Sequence, residues 1–572
     1  MQTLSGGALL AKMLKQLGVK YVFGVPGGQL FPFMDAVSRE EGMELLTTRH
    51  EENSGHMADA VTRLSGAPGV CFGTVGPGAA NLLPGVAAAY ADSIPMIVIT
   101  PNNQTFCSYP HLGSIQDGNH LDLFKSITKW NGVVNQRERM GEMLRMAYRQ
   151  AYTGRPGPVH LDIPVDVMFK CAEEEDLPLG KYMPSGRVKG DPQSISRTAE
   201  LICKAKRPLL VAGGGVVRAG AWEEFRKVAA LGVPATTTPM GDGCVEVNDE
   251  TYFGTSGWLG GPAVVKALSE SDLILAVGCR FSSWMGLGKP PILGAAGSQI
   301  IIHVDIDPAN MGMNAPVDVG IVSDAKEFLL DLLEAFKNSK MNVDEWKNWG
   351  TELVSAYKQY MLSVTEMAKQ TSDPMNEATA LQAVAGALDK DTIVAFDGGQ
   401  VMEWAHTFVK VDHPLKKMFP AGFGHLGFGL PFANAAKLVF PDQKVLNITG
   451  DGAFGLTCQE LETAVRYNLP SVTVVLNDRA WGMIKGGQIG LYNNPVGVDF
   501  SDANYADVAK GFGAYGEKVQ KAEDIKPAIQ RAFASGKPAV IDVPVALTPH
   551  PVDRYWPELI MCGCEFPMPP GA

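Results

Sequence analysis

The chain is predicted to fold as three parallel α/β domains in series, and three observations point there. At 572 residues it is longer than a single core normally supports. Three segments each alternate helical stretches with short β-branched runs, the pattern of parallel strands layered with helices. Apolar residues make up 46% and charged residues 19%, with 63 glycines, which is the profile of a compact, enzyme-like α/β protein rather than a disordered or fibrous chain.

The first segment covers residues 1–170. It opens on an amphipathic helix and shows strand candidates in "KYVFGVPG", "GVCFGTVGPG" and "IPMIVITP", closing with "RPGPVHLDIPVDV". Residues 171–192 are charged, proline-bearing and aperiodic, and read as a linker. The second segment, 193–340, holds "RPLLVAGGGVV", "SDLILAVGCRF" and "QIIIHVDIDP". A polar helical connection over 341–373 leads to the third segment, 374–548. Residues 549–572 are proline-rich and read as an extended tail over the surface.

The net charge of −12 argues against a nucleic-acid partner, which calls for basic clusters. The N-terminal residues read directly into an amphipathic helix, so no signal peptide is expected, and no apolar run is long enough to span a bilayer. Nine scattered cysteines suit reduced thiols, so a cytoplasmic setting is expected. Cys562 and Cys564 form one tight pair, but no second pair or nearby histidine completes a metal set.

The most informative stretch is "GDGAFGLTCQELETAVRYNLPSVTVVLND", from Gly450 to Asp478. "KVLNIT" reads as a buried strand, Leu456–Asn468 as a helix and "SVTVVLN" as the next strand. A right-handed crossover brings both strand ends to one sheet edge, where ligands of open α/β sheets bind. Asp451 and Asp478 then face each other and repel, so the pair calls for a cation. Hard oxygen ligands suggest Mg2+. Gly452 and Ala453 lead into a helix N-terminus that favours an anion, so a diphosphate held through a metal is expected. On its own, GDG would read as an ordinary turn.

With these residues in place, the chain resembles the thiamine-diphosphate-dependent enzymes, and specifically the acetolactate synthase-like branch. The resemblance implies three doubly wound domains: pyrimidine-binding, Rossmann-like middle and diphosphate-binding. It implies thiamine diphosphate and Mg2+ as cofactors, with Asp451, Asp478 and the Ala480 carbonyl as metal ligands. "TRHEENSGHMADAVTRLSG" resembles the segment with the activating glutamate, which places Glu51 against the aminopyrimidine ring. The plain alternative is that Glu51 and Glu52 are an exposed acidic pair. "AGFGHLGFGLPFANAAKL" resembles the stretch that bends the cofactor, with Leu426 as the apolar wedge and Gly424 offering its carbonyl. "DGGQVMEW" resembles a diphosphate-contacting turn and offers Gly399 and Gln400. Val401 stands where the branch often has His. Gly482 and Met483 follow the metal loop and are counted with the cofactor contacts.

"GPGAANLLPGVAAAYADSIPMIVIT", "HVDIDPANMGMN" and related stretches resemble the acetolactate synthase branch. "FGTSGW" and "GCRF", with Arg280, fall where that branch holds FAD and where relatives hold an adenine nucleotide. Two departures bear on the substrate. "RFSSW" puts Trp284 where biosynthetic members have an arginine for the acceptor carboxylate, which an indole cannot replace. Gly487 stands where those members place a tryptophan. Gln29 lies where relatives place a residue over the thiazolium, which implies an amide that orients a substrate carbonyl or hydroxyl, or else one that serves structure only. His111, Gln116 and His120 lie in a loop that approaches substrate in relatives, and His425 sits beside the wedge.

The resemblance therefore implies a carboligase or lyase acting on a small-molecule 2-oxo acid or 2-hydroxycarbonyl substrate through a carbanion–enamine. A 2-hydroxyacyl-CoA lyase or oxalyl-CoA decarboxylase is the alternative, with the tail as a lid over CoA. A benzaldehyde lyase type and a flavin oxidoreductase rank below these, the latter because "GGGVV" lacks the full dinucleotide fingerprint. The family's glutamate and metal motif meet across a subunit interface, which implies a homodimer at minimum and usually a homotetramer.

Overall fold

The computed structural model describes residues 2–174, 179–182, 184–255, 258–337 and 339–555. Among them, three parallel sheets follow one another along the chain, each flanked by helices. Their central strands are the β-branched runs of the sequence. Met96–Asn102, Val159–Pro164, Leu273–Val277 and Val472–Asn477 are buried at every residue. Parallel strands covered on both faces have no polar side to present, which is why these runs are continuously apolar rather than alternating.

The first sheet has six strands, in the order Glu44–Thr47, Tyr21–Gly24, Gly69–Phe72, Met96–Asn102, Val159–Pro164 and Trp130–Val133. The middle sheet orders Ala235–Thr237, Pro208–Ala212, Leu273–Val277, Ile300–Asp305 and Val319–Val322. The third centres on Ile393–Phe396, Val445–Gly450, Val472–Asn477 and Ala539–Ala546 as consecutive neighbours, all parallel. The polar connection before it is one helix of 26 residues, Val343–Ala368.

Two local expectations are corrected. The stretch read as an unstructured linker contributes a strand, Cys171–Glu174, which pairs antiparallel with Gln2–Ser5 ahead of the first helix. Short edge strands of this kind carry too few residues to show a period. The helix expected over Leu456–Asn468 starts earlier, at Asp451, and is broken into Asp451–Thr457 and Glu460–Arg466. The Thr457 hydroxyl donates to the Gly427 carbonyl at 2.7 Å, pinning the first piece to the loop before the Gly429–Val439 helix.

The helix Glu51–Ser65 is buried at 13 of its 15 residues. A helix enclosed on all sides has to pair most of its polar groups internally. Arg63 accordingly donates to Asp59 at 2.5 Å and to Asp92 at 2.8 Å. One apolar cluster runs from Met57, Val61 and Leu64 of this helix to Phe432, Ala435 and Ala436, so the first and third domains share a core within the chain. Gly55 meets Gly85 closely, because a Cβ on Gly55 would lie 3.1 Å from the Gly85 Cα.

Candidate active site

Three neighbouring strands of the third sheet end side by side, and each hands its chain to a polar turn. Ile393–Phe396 leads into Asp397, Gly398 and Gly399; Val445–Gly450 into Asp451; Val472–Asn477 into Asp478. Because the strands are parallel, these turns share one edge. Asp451 opens its helix and is only 2% exposed, so GDG here is not a solvated turn.

Asp451 Oδ2 and Asp478 Oδ2 are both buried without a hydrogen-bond partner. Burial, and then the neighbouring Asp478, push the Asp451 carboxyl up to about 8; burial also raises Asp478. Two buried carboxyl oxygens with unused lone pairs, whose ionisation each opposes in the other, are the chemistry of a hard-cation site. The Ala480 amide donates to Asp478 Oδ1 at 3.2 Å, which aims the other oxygen away from the backbone. Gly482 has to be glycine, since a Cβ there would lie 2.3 Å from Asp478 Oδ2. Gly452 packs against Trp481, and a Cβ on Gly399 would lie 2.9 Å from that of Met483. The residues picked out as Gly399, Gly452, Asp478, Gly482 and Met483 are thus brought together. Ala453 is buried in the first turn beside Gly452.

Gln400 is buried, donating to the Thr548 carbonyl at 2.5 Å while its Oε1 has no partner. Trp404 donates to the same carbonyl at 3.0 Å. The loop carrying Gly424, which has φ +67°, and half-buried Leu426 is anchored from below by Asp397. That carboxylate accepts from the amides of Gly398, Gly427 and Gly429 at 2.7, 3.1 and 2.9 Å.

Glu51, the first residue of its helix, is 6% exposed, so it is not half of an exposed acidic pair. Its Oε2 accepts from Asn81 Nδ2 at 3.0 Å. A Cβ on Gly78 would lie 3.0 Å from the other oxygen, so the Gly76–Gly78 turn packs against the carboxylate. Gln29 is half-buried and accepts from the Thr74 hydroxyl at 3.1 Å.

The loop residues separate. His120 is fully buried and both its nitrogens are engaged: Nε2 accepts from Gly76 N at 3.0 Å, and Nδ1 donates to Asp162 at 2.8 Å. It holds the Gly76 turn and has no free nitrogen for substrate. Gln116 is exposed with φ +60°, and its carbonyl rests on Gly76. His111 pairs with Asp117 at 2.5 Å. Trp284 donates to the Ala421 carbonyl at 3.0 Å and packs edge-on to Phe419, fastening the middle domain to the loop before Gly424. Gly487 lies exposed on the helix Gly482–Tyr492, which buries none of its residues.

A second cleft, of about 740 Å3, lies between the first and middle domains. Arg155, Arg218 and Arg280 line it together with Gly214, Gly215 and Asp305. Arg280 donates to the Ala91 carbonyl at 2.7 Å. Ser256 and Gly257 of "FGTSGW", and Cys562, Cys564 and the rest of the tail beyond 555, lie outside the described residues.

Sequence reasoning missed several contributors. Glu377 is buried near the aspartate pair, where burial and then Asp478 push its carboxyl well above the usual range. Glu460 accepts from Arg49 N and Asn53 Nδ2, both at 2.9 Å, linking the third domain to the start of the Glu51 helix. Asn81 and Asp397 belong with them. None has a local pattern that separates it from surface polar residues; only burial and partners do.

Three domain models of the thiamine pyrophosphate enzymes match the chain: the N-terminal TPP binding domain over 4–116, the central domain over 195–332 and the C-terminal TPP binding domain over 397–543. Among curated proteins, the chain is 36% identical over 563 residues to a probable acetolactate synthase large subunit of Methanococcus aeolicus, covering 94% of this chain and 92% of that protein. It is 33% identical to the acetolactate synthase large subunit of Corynebacterium glutamicum, over 95% and 87% of the two chains. It is also 30% identical to a sulfoacetaldehyde acetyltransferase of Alcaligenes xylosoxydans xylosoxydans, over 92% and 90%.

Proposed function

Because the chain belongs to the thiamine pyrophosphate-dependent enzymes, as an acetolactate synthase-like carboligase, we propose that it joins or cleaves a carbon–carbon bond of a 2-oxo acid or 2-hydroxycarbonyl substrate at the edge of the third sheet. The observation that carries this reading is the buried Asp451–Asp478 pair with two unpartnered oxygens. Mg2+ fits that pair, since every donor there is a hard oxygen, and the Ala480 carbonyl is the further candidate ligand. When bound, thiamine diphosphate supplies a nucleophilic thiazolium carbon for attack on a carbonyl, and Mg2+ neutralises its diphosphate.

The chain's own groups do the rest. The amides of Gly452 and Ala453, at the start of their helix, address the diphosphate end. Leu426 offers an apolar face and Gly424 a carbonyl to the cofactor's rings. Glu51, oriented by Asn81, holds or accepts a proton at the far end. Gln29 stands over the reacting centre as a substrate-orienting amide. His120 acts as a positioning residue through Gly76.

Glu51 of one protomer meets the third domain of its partner, so the active unit is at least a homodimer. Supporting this, apolar side chains are exposed on both domains: Phe106 and Ile115 on the first, Ile484 and Val496 on the third. The arginine-lined cleft between the first and middle domains is the candidate seat for FAD or another adenine nucleotide. With Trp284 engaged by the Ala421 carbonyl, and no arginine at its position, a 2-oxo acid acceptor gripped through its carboxylate is disfavoured. Mass spectrometry of small molecules released from the purified protein tests the cofactor assignment. A screen of 2-oxo acids, acyloins, sulfoacetaldehyde and acyl-CoAs tests the substrate, and saturation by an acyl-CoA alone would overturn the proposed class.

A further inference from the structure

Outside the aspartate pair, one group of potential metal ligands stands out among the described residues. Glu52, His56 and His425 each present one ligand atom, and these three atoms lie within 4.8 Å of one another. Glu52 and His56 are four residues apart on one helix, so they share a face. His425 comes from the third-domain loop, between Gly424 and Leu426. His425 Nε2 is 2.8 Å and His56 Nε2 3.8 Å from the same carboxylate oxygen, Glu52 Oε1.

His56 is the second, independent sign of a ligand. Its side chain is fully buried, yet neither ring nitrogen has a hydrogen-bond partner. A buried polar group left unsatisfied is costly, so packing against His425, Phe428 and Phe432 does not by itself account for this imidazole. His425 and Glu52 are part-exposed, so the group has an entrance from solvent.

We propose that Glu52, His56 and His425 form a first-row transition-metal site, fitted to Zn2+, that ties the first domain to the cofactor-bending loop of the third. Two imidazole nitrogens and one carboxylate oxygen, with a position left for water, are a zinc-type donor set. The oxygen-only Asp451–Asp478 pair selects for harder ions, so the two sites divide metals by ligand chemistry. The bound ion locks His425, and with it the backbone of Gly424 and Leu426, to the helix that begins with Glu51. No step of the chemistry passes through it.

The test uses the full-length protein, stripped with a chelator and re-equilibrated with excess Mg2+ to fill the aspartate site. Zn2+ alone is then titrated by calorimetry, and bound metal is counted by elemental mass spectrometry after desalting. One tightly held Zn2+ per chain is expected, without displacement of Mg2+, together with visible ligand-field absorption when Co2+ replaces Zn2+. His425→Ala and Glu52→Gln should each weaken Zn2+ binding by more than about 100-fold, since losing an outer partner alone costs roughly 10–100-fold. His56→Gln provides a third reading if one of these fails to fold. A wild-type protein that takes up no stoichiometric Zn2+ overturns the proposal. So do variants that retain the wild-type equivalent, which would assign the metal to the Cys562–Cys564 tail or the aspartates. Because the count does not depend on thiamine diphosphate, its failure is separate from a failure of the proposed function.

Discussion

The first and third sheets are built alike and end in the same kind of feature, but the two edges surround their carboxyls differently. Each has parallel strands running into glycine turns, and each has a buried carboxyl opening a helix, Glu51 in one and Asp451 in the other. Glu51 is met by the neutral amide of Asn81. Asp451 is met by a second carboxyl, Asp478. One neighbour changes the outcome: a single carboxyl facing an amide can hold or release a proton, whereas two facing carboxyls need a cation. The layer architecture sets where functional groups stand, and the identity of the nearest side chain sets what they do.

That difference can be broken or sharpened by substitution. The largest effect is expected for Glu51→Gln, with turnover lower by about 10³-fold, inside the range for loss of a general acid–base group. Thiamine diphosphate should stay bound, as read by mass spectrometry. Near-wild-type turnover would remove the proton role from the first-domain edge.

Asp451→Asn should act in the opposite way, on binding rather than on chemistry. Cofactor affinity measured in Mg2+ is expected to fall about 100-fold by calorimetry, comparable to or above the loss of an outer metal partner. Unchanged affinity would mean that the pair does not anchor the diphosphate. Asn81→Ala comes next. It removes the amide bonded to Glu51, worth about 1.5–3 kcal/mol for a charged partner, so turnover should drop roughly 10-fold or more while cofactor affinity holds.

The smallest effect on function is expected for Asp478→Asn, because Asp478 is half-buried where Asp451 is fully buried, so water can replace a weakened ligand there. Its affinity for cofactor should change by less than about 10-fold, whereas equal losses at 451 and 478 would make the two aspartates interchangeable. Stability in the absence of metal gives a companion reading. The Asp451 carboxyl keeps its proton up to about 8 in the folded chain but releases it near 4 when unfolded. Between those values the unfolded state binds fewer protons, so the metal-free wild type loses stability as pH rises. Asp451→Asn removes this penalty, so without metal its advantage over wild type should grow from about pH 4 to about pH 8. Mg2+ should reverse the order. Urea midpoints across that range, with and without Mg2+, measure both.

Much of this could be read from the chain. Continuous apolar runs such as "IPMIVITP" and "SVTVVLN" became strands because a doubly covered parallel strand needs nothing else. Asp451 and Asp478 were legible because each directly follows such a strand, and parallel neighbours must end on the same edge. The break in the 451–466 helix was not, since it depends on Thr457 reaching Gly427 from a distant loop. His120 looked available in sequence, and only its buried contacts with Gly76 and Asp162 reveal a fastener. Trp284 read as a missing arginine, while in the fold its indole holds Ala421.

Local pattern alone determined the plan of three α/β domains, the place of the aspartate pair and the resemblance that points to thiamine diphosphate. These follow from residue type and period, which act over a few neighbours. Tertiary structure alone decided which polar groups lost their water: Asp451 Oδ2 and Asp478 Oδ2 left bare, His56 without a partner, Asp397 beneath the Gly427–Gly429 turn. Burial and long-range pairing depend on residues hundreds of positions apart, and the strength of a charge or lone pair is set by that distant company.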